Sequence, residues 1–335
     1  MVSMYSGLRT HASRALVRHK GDYGLELEEE SVRPYDVPTF SFWDVHQDGS
    51  LRNYGYEYVL KQPLSIEEVD KALEEFSSKL GHVKFDEESF TTSTHVHINV
   101  LNLSEIEFSN LMVLYTIMEK LLILYSGDTR RSNAFCLPMC DAEHVFFNLY
   151  RIIEGMGSKQ AYQRFAAIHP DTNKYGALNL ASVYQRGSVE IRCFRGTSDI
   201  KLVKEWLSIL HKMVTYSKKK GLLPPQIVLL YKDLGVNLIT EVFGELAPAL
   251  IKKETPSTLE EIMKKHVWYA SRIAYSNKNW KKLLDEPKKK SKGLKDLDEL
   301  SMAVFKKPFA SLIYEEQQHI TQLATEDLML VERGA

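Results

Sequence analysis

The chain has 335 residues, 44% of them hydrophobic, with a formal net charge of -1. That length and apolar content suffice for a sizeable core in one large or two ordinary domains, and the near-neutral charge gives no general reason to bind nucleic acid. Three cysteines (Cys136, Cys140, Cys193) cannot all pair and lack zinc-site spacing, so a reducing, cytoplasmic setting is expected.

The amino-terminal Arg9, Arg14, Arg18 and Lys20 are not followed by the apolar run of a secretory signal, and export is not expected. The first extended element reads Gly24-Leu25-Glu26-Leu27-Glu28. With a side-chain period of two, Leu25 and Leu27 share one face, and Glu26 and Glu28 the other. Next comes Trp43 to Leu51, followed by Tyr56 to Leu60, with the turn signal Asp48-Gly49 between two extended runs. This predicts a hairpin with Asp48 at its tip and Glu57 in the returning strand.

Ser65 with Glu68, and Ser104 with Glu107, are capping boxes that predict helices through Leu80 and Tyr125. Glu119 and Lys120 interrupt the apolar stretch Leu111 to Tyr125, so it reads as a buried helix and not a membrane anchor. Between the two helices, Thr94 to Val100 alternates Val96, Ile98 and Val100 against His95, His97 and Asn99. Arg130-Arg131-Ser132-Asn133 follows the second helix. Further helices are expected over 142–154 and 159–168, then the polar segment Lys174 to Leu180. In Val189 to Arg195, parity puts Val189, Ile191 and Cys193 on a packing face and Glu190 with Arg192 on the other.

The remainder is predicted to be mostly helical, with helices over 200–219, 226–251, 258–275 and 301–330, and a lysine-rich connection at 278–295. A division at residue 220 would separate an amino-terminal catalytic core from a helical carboxy-terminal region. Each polar strand face alone could be ordinary surface. All three are restricted to Glu, His, Asn and Arg, side chains that bind divalent metals and phosphates, so their convergence would make a metal–phosphate site.

The ordered series resembles the amidoligase family of the glutamine synthetase and glutamate–cysteine ligase superfamily. The matching pieces are Gly24-x-Glu26-x-Glu28, Asp48-Gly49-Ser50 with Glu57, His95-x-His97, the Arg131 to Cys136 segment, Lys174-Tyr175 with Asn179, and Glu190-x-Arg192 running into Arg195. Where the family usually has a glycine shortly before the first histidine, this chain has Ser93-Thr94. The resemblance covers about 21–206. It implies an α+β fold: a curved antiparallel sheet, a funnel or half-barrel, with helices on its outer face.

It further implies an ATP-dependent carboxylate–amine ligase that works with two or three Mg²⁺ or Mn²⁺ ions through an acyl phosphate. Glu26, Glu28, Asp48, Glu57, His95 and Glu190 would be metal ligands, with Glu57, Glu190 and Arg192 serving catalysis. Arg131, Lys174, Arg192 and Asn179 would hold the nucleotide, and His97 and Arg195 would face substrate. The partners implied are a carboxylate substrate and an amine acceptor, with no membrane. Two alternatives keep the scaffold: a phosphagen-kinase-like phosphotransferase and a catalytically silent binding protein.

Overall fold

A computed structural model describes residues 2–14, 16–30, 36–52, 55–83, 85–87, 89–252, 254–280 and 306–307. The chain divides into the units Met1–Trp280 and Lys281–Ala335. The first unit carries every described strand and helix. The predicted helix over 301–330 and nearly all of the lysine-rich connection lie outside the described residues.

In chain order the first elements are α1 (Met4–His11), β1 (Tyr23–Glu29), β2 (Trp43–Gln47), β3 (Tyr56–Leu60), α2 (Ile66–Leu80), β4 (Ser93–Asn99) and α3 (Glu105–Tyr125). Then come α4 (Glu143–Glu154), α5 (Lys159–Ala167), α6 (Pro170–Asn173), β5 (Leu178–Asn179), α7 (Ala181–Arg186), β6 (Ser188–Arg195) and α8 (Ile200–Ser217). The last are α9 (Pro224–Leu234), α10 (Leu238–Phe243), α11 (Ala247–Ile251) and α12 (Pro256–Ala274). The predicted helix over 226–251 is broken twice, at Gly235 and Gly244, both at positive φ (56° and 55°).

The six strands form one open antiparallel sheet in the order β2-β3-β1-β4-β6-β5, so the class is α+β. One face is apolar as alternation requires: Leu25, Leu27, Tyr58, Val96, Ile98, Val189 and Ile191 are all buried. α3 packs against β6 and α8, and α12 lies along α3. The stretches Glu105–Tyr125 and Pro224–Ile251 are each long and apolar enough to cross a membrane, and the first is 83% buried as the central helix of the fold. Both predicted capping boxes close: Ser65 with Glu68 and Ser104 with Glu107 exchange reciprocal bonds. Each Ser cap contributes about 1 kcal/mol.

One register shift changes the reading of β6. Opposite β4, Thr94 pairs with Phe194 and Val96 with Ile191, so His95 alone faces both Arg192 and Cys193. This bulge reverses parity beyond Arg192. Cys193 and Phe194 both turn into the core, where the Phe194 ring stacks on Trp206 at 4.8 Å. Simple alternation would have put Phe194 on the polar face beside Arg192.

Candidate active site

The other face of the sheet is polar and, unusually, also buried. Register explains how its groups meet: Glu26 lies opposite His95, Glu28 opposite Glu57, His97 opposite Glu190, and Glu190 opposite Asn179. Directly opposed side chains in an antiparallel pair are about 5 Å apart at Cβ, so adjacent strands place carboxylates and imidazoles in contact. Glu26, Glu28, His95, His97 and Glu190 are each less than 9% exposed.

Glu26 is the hub. Its Oε2 lies 3.1 Å from His95 Nδ1, and its Oε1 lies 3.0 Å from His97 Nε2 and 2.7 Å from Arg186 Nη1. His95 Nε2 meets Ser93 Oγ at 2.6 Å, while Ser93 donates to Glu28 Oε2 from both its hydroxyl (2.7 Å) and its backbone N–H (2.8 Å). Ser93 thus ties Glu28 to His95. Glu190 accepts from Asn179 Nδ2 at 2.7 Å, Ser182 Oγ at 2.9 Å, and Arg192 Nη1. Arg192 Nε is buried with no hydrogen-bond partner among the described residues.

The electrostatics divide these acids. Burial pushes against ionisation of Glu26, but His97 and His95 outweigh it and hold its carboxyl well below the usual range. Glu190 behaves likewise: His97, Arg192 and His95 overcome its burial and lower it to about 2. Burial disfavours the His97 imidazolium, yet Glu26 and Glu190 raise its pKa. Glu57 goes the other way. Burial and the neighbouring Glu26, Glu28 and Asp48 carboxylates push it up to about 8.

Whether a divalent ion fits here is a question of donors. Two sets of ligand atoms lie within 4.8 Å of one another, Glu26–His97–Glu190 and Glu26–Glu57–His95. Glu26 is common to both sets, and their carboxylate and imidazole donors could hold a divalent ion such as Mn²⁺.

The other expected residues have contacts of their own. Asp48 caps its own turn, accepting from Ser50 N at 2.8 Å, and its charge reaches Glu57. Arg131 pairs with Asp128 at 3.2 Å, and Arg195 donates to Ser126 O at 3.2 Å; both line a second cavity, of about 660 Å³, with Tyr125 and Glu205. Lys174 is half-exposed beside Asp171 and over the Tyr175 ring, 5.2 Å from its centroid. Asn99 is spent on structure, bonding Gly21 O and Leu101 N.

Two residues that strand alternation does not reveal, Arg186 and Ser182, complete the cluster together with Ser188, which leads β6 in parity with Glu190 and whose Oγ meets His97 Nδ1 at 3.0 Å. Arg186 ends α7, and Gly187 closes that helix in the left-handed region (φ 79°), where a Cβ would come within 2.5 Å of Leu101. An Arg-Gly pair directly before a polar strand was the available signal. Between Arg186 and the hairpin opens a cavity of about 520 Å³, lined by Arg14, Glu26, Asp44, Val59, His97 and Arg186.

Fold and site together define an α+β protein with a buried carboxylate–imidazole–guanidinium face. Residues 37–214, more than half of the chain, match the model of a family described as "Putative amidoligase enzyme". The chain belongs to this amidoligase family, and the membership supports ligase activity. The match contains Glu57, His95, His97, Asn179, Glu190 and Arg192, while β1 with Glu26 and Glu28 precedes it. No curated protein matches the chain.

Proposed function

We propose that the chain is an ATP-dependent carboxylate–amine ligase, with the polar sheet face as its catalytic centre and the sheet as a funnel of the glutamine synthetase and glutamate–cysteine ligase type. The observation that carries this reading is the pair of donor sets sharing Glu26, set beside a buried guanidinium nitrogen without an acceptor. Glu26, Glu57, His95, His97 and Glu190 would hold Mg²⁺ or Mn²⁺, with Glu28 fixing His95 through Ser93. Bound there, the ions would screen the nucleotide phosphates and the charge that shifts during phosphoryl transfer.

Arg192 would supply its unpartnered Nε–H to a phosphoryl oxygen, a contact that strengthens as charge moves onto the transferred group. The substrate carboxylate attacks the γ-phosphorus, ADP leaves, and an acyl phosphate forms. An amine then attacks the acyl carbon, phosphate departs, and the amine proton passes to a base. Asn179 and Ser182 hold one oxygen of Glu190, which leaves the other, shared with Arg192, toward the centre. Burial of the face keeps water from the acyl phosphate.

The test separates binding from chemistry. Arg192→Ala should lower the phosphate-release rate by about 10²-fold while a non-hydrolysable ATP analogue still binds in calorimetry. Glu190→Ala should instead weaken Mg²⁺-dependent analogue binding. Variants that bind and turn over like the parent would sink the proposal.

A further inference from the structure

Arg186 stands in a conflicted position. Its Nη1 contacts Glu26 Oε1 at 2.7 Å and His97 Nε2 at 3.3 Å, and these two atoms are themselves 3.0 Å apart. Both belong to residues of one candidate metal set. An ion bound to that pair needs ligand distances of about 2.0–2.2 Å. A guanidinium nitrogen cannot remain bonded to the same carboxylate oxygen and the same ring nitrogen, and two cationic centres so close repel strongly.

The side chain is free to leave. It reaches 160 residues back along the sequence from the end of α7, and its side chain is 60% exposed while that of Glu26 is only 7% exposed. Away from Glu26, it faces the 520 Å³ cavity that it lines with Arg14. Arg14 is held by Gln185 O at 3.3 Å and the Tyr184 ring, and has no carboxylate partner among the described residues. Lys61, the third cation of that wall, is already tied to Phe40 O and Ser41 O. Two guanidiniums bordering one cavity suit a carboxylate, which each can grip through a planar fork of donors.

We propose that Arg186 is a displaceable cation: it competes with the divalent ion for Glu26 and His97 and, once displaced, anchors with Arg14 a carboxylate of the substrate held in the adjoining cavity. This rests on the metal reading of the Glu26 cluster. The consequence is reciprocal linkage, because an ion that releases Arg186 favours the carboxylate, and the carboxylate that holds Arg186 away favours the ion by the same factor.

The test is calorimetric titration of the full chain and of Arg186→Ala with Mn²⁺, each with and without glutarate as carboxylate probe, and with inorganic phosphate as a second anion. The expected result has two parts. Parent affinity for Mn²⁺ rises on the order of tenfold with glutarate. Arg186→Ala binds Mn²⁺ alone more tightly than the parent by a similar factor, and glutarate no longer changes it. Arg186→Lys, which keeps the charge without the fork, should restore competition with Mn²⁺ but bind glutarate weakly. Equal Mn²⁺ affinities with linkage intact in Arg186→Ala would overturn the role of Arg186 while leaving the metal site standing. Linkage to phosphate without linkage to glutarate would overturn the carboxylate assignment. Absence of Mn²⁺ binding in both proteins would overturn the metal reading itself, and this inference with it.

Discussion

Among the described residues, two places bury a carboxylate against an imidazole, and they come to opposite ends. On the helical side, Glu119 of α3 is fully buried 3.6 Å from His266 Nδ1, and His266 Nε2 lies 3.9 Å from Cys140 Sγ. The order Cys–His–Glu imitates a catalytic triad. Yet burial pushes Glu119 up to about 8, burial with Lys120 and Lys265 pushes His266 down to about 4, and burial with Asp141 pushes Cys140 up to about 11. All three groups are held neutral. On the sheet face Glu26 and Glu190 are instead held ionised, because Arg186, Arg192 and the paired histidines compensate them, while Glu57 beside them is pushed up as Glu119 is. Burial alone neutralises; burial with organised countercharge stores the ionised groups a metal and phosphate site needs.

The contrast between the two clusters is tested most severely at their central acids. Glu26→Ala should abolish measurable ligase turnover, a loss of about 10³-fold or more, since it removes a donor common to both sets. Glu119→Gln should leave turnover within twofold. A phosphate-release assay on both variants decides the matter.

Stability against pH gives the next effect. Glu119, raised in the folded protein, binds a proton there that the unfolded chain has lost, so its contribution is present at low pH and fades as pH rises from about 4.5 to about 8. His266, depressed, has the reverse sign below its ordinary value near 6.5 and is silent above it. Between pH 6.5 and 8, the metal-free parent should therefore lose on the order of 2 kcal/mol more stability than Glu119→Gln in urea unfolding. Glu57 adds a loss of the same sign in both proteins, and saturating Mn²⁺ should remove that shared part.

Ser93→Gly keeps the backbone donor to Glu28 but deletes the hydroxyl that joins it to His95. Mn²⁺ affinity should fall about tenfold, as for loss of a group that orients a metal ligand. Calorimetry showing an unchanged or higher affinity would leave Ser93 no part in holding the metal. The smallest effect belongs to the mock triad: Cys140→Ala should change turnover by less than about twofold, and the Cys140 thiol should react with a disulfide reagent more slowly than a free cysteine at pH 7.5. Rapid labelling would contradict its neutral state.

Much of the sheet face was legible in sequence because strand alternation is a local rule. Glu26 with Glu28, His95 with His97, and Glu190 with Arg192 each follow from parity, and their meeting follows from pairing of the strands that carry them. What escaped depends on contacts that no local period encodes. Arg186 reaches Glu26 only through tertiary closure across 160 residues. The β6 bulge reverses parity after Arg192, sending Phe194 inward, while Arg195 lies at the second cavity with Arg131. Lys174 stands half-exposed on a turn, paired with Asp171. The apolar pattern of 226–251 was read correctly as helical, but the two glycine breaks were not anticipated.

The most direct test is anomalous diffraction from crystals grown with Mn²⁺ and a non-hydrolysable ATP analogue. Two peaks are expected about 3.5–4 Å apart, one within bonding distance of Glu26, His97 and Glu190 and one of Glu26, Glu57 and His95, with Arg186 turned away from Glu26. Fully occupied nucleotide with no Mn²⁺ peak at Glu26 would contradict a metal centre on this sheet face.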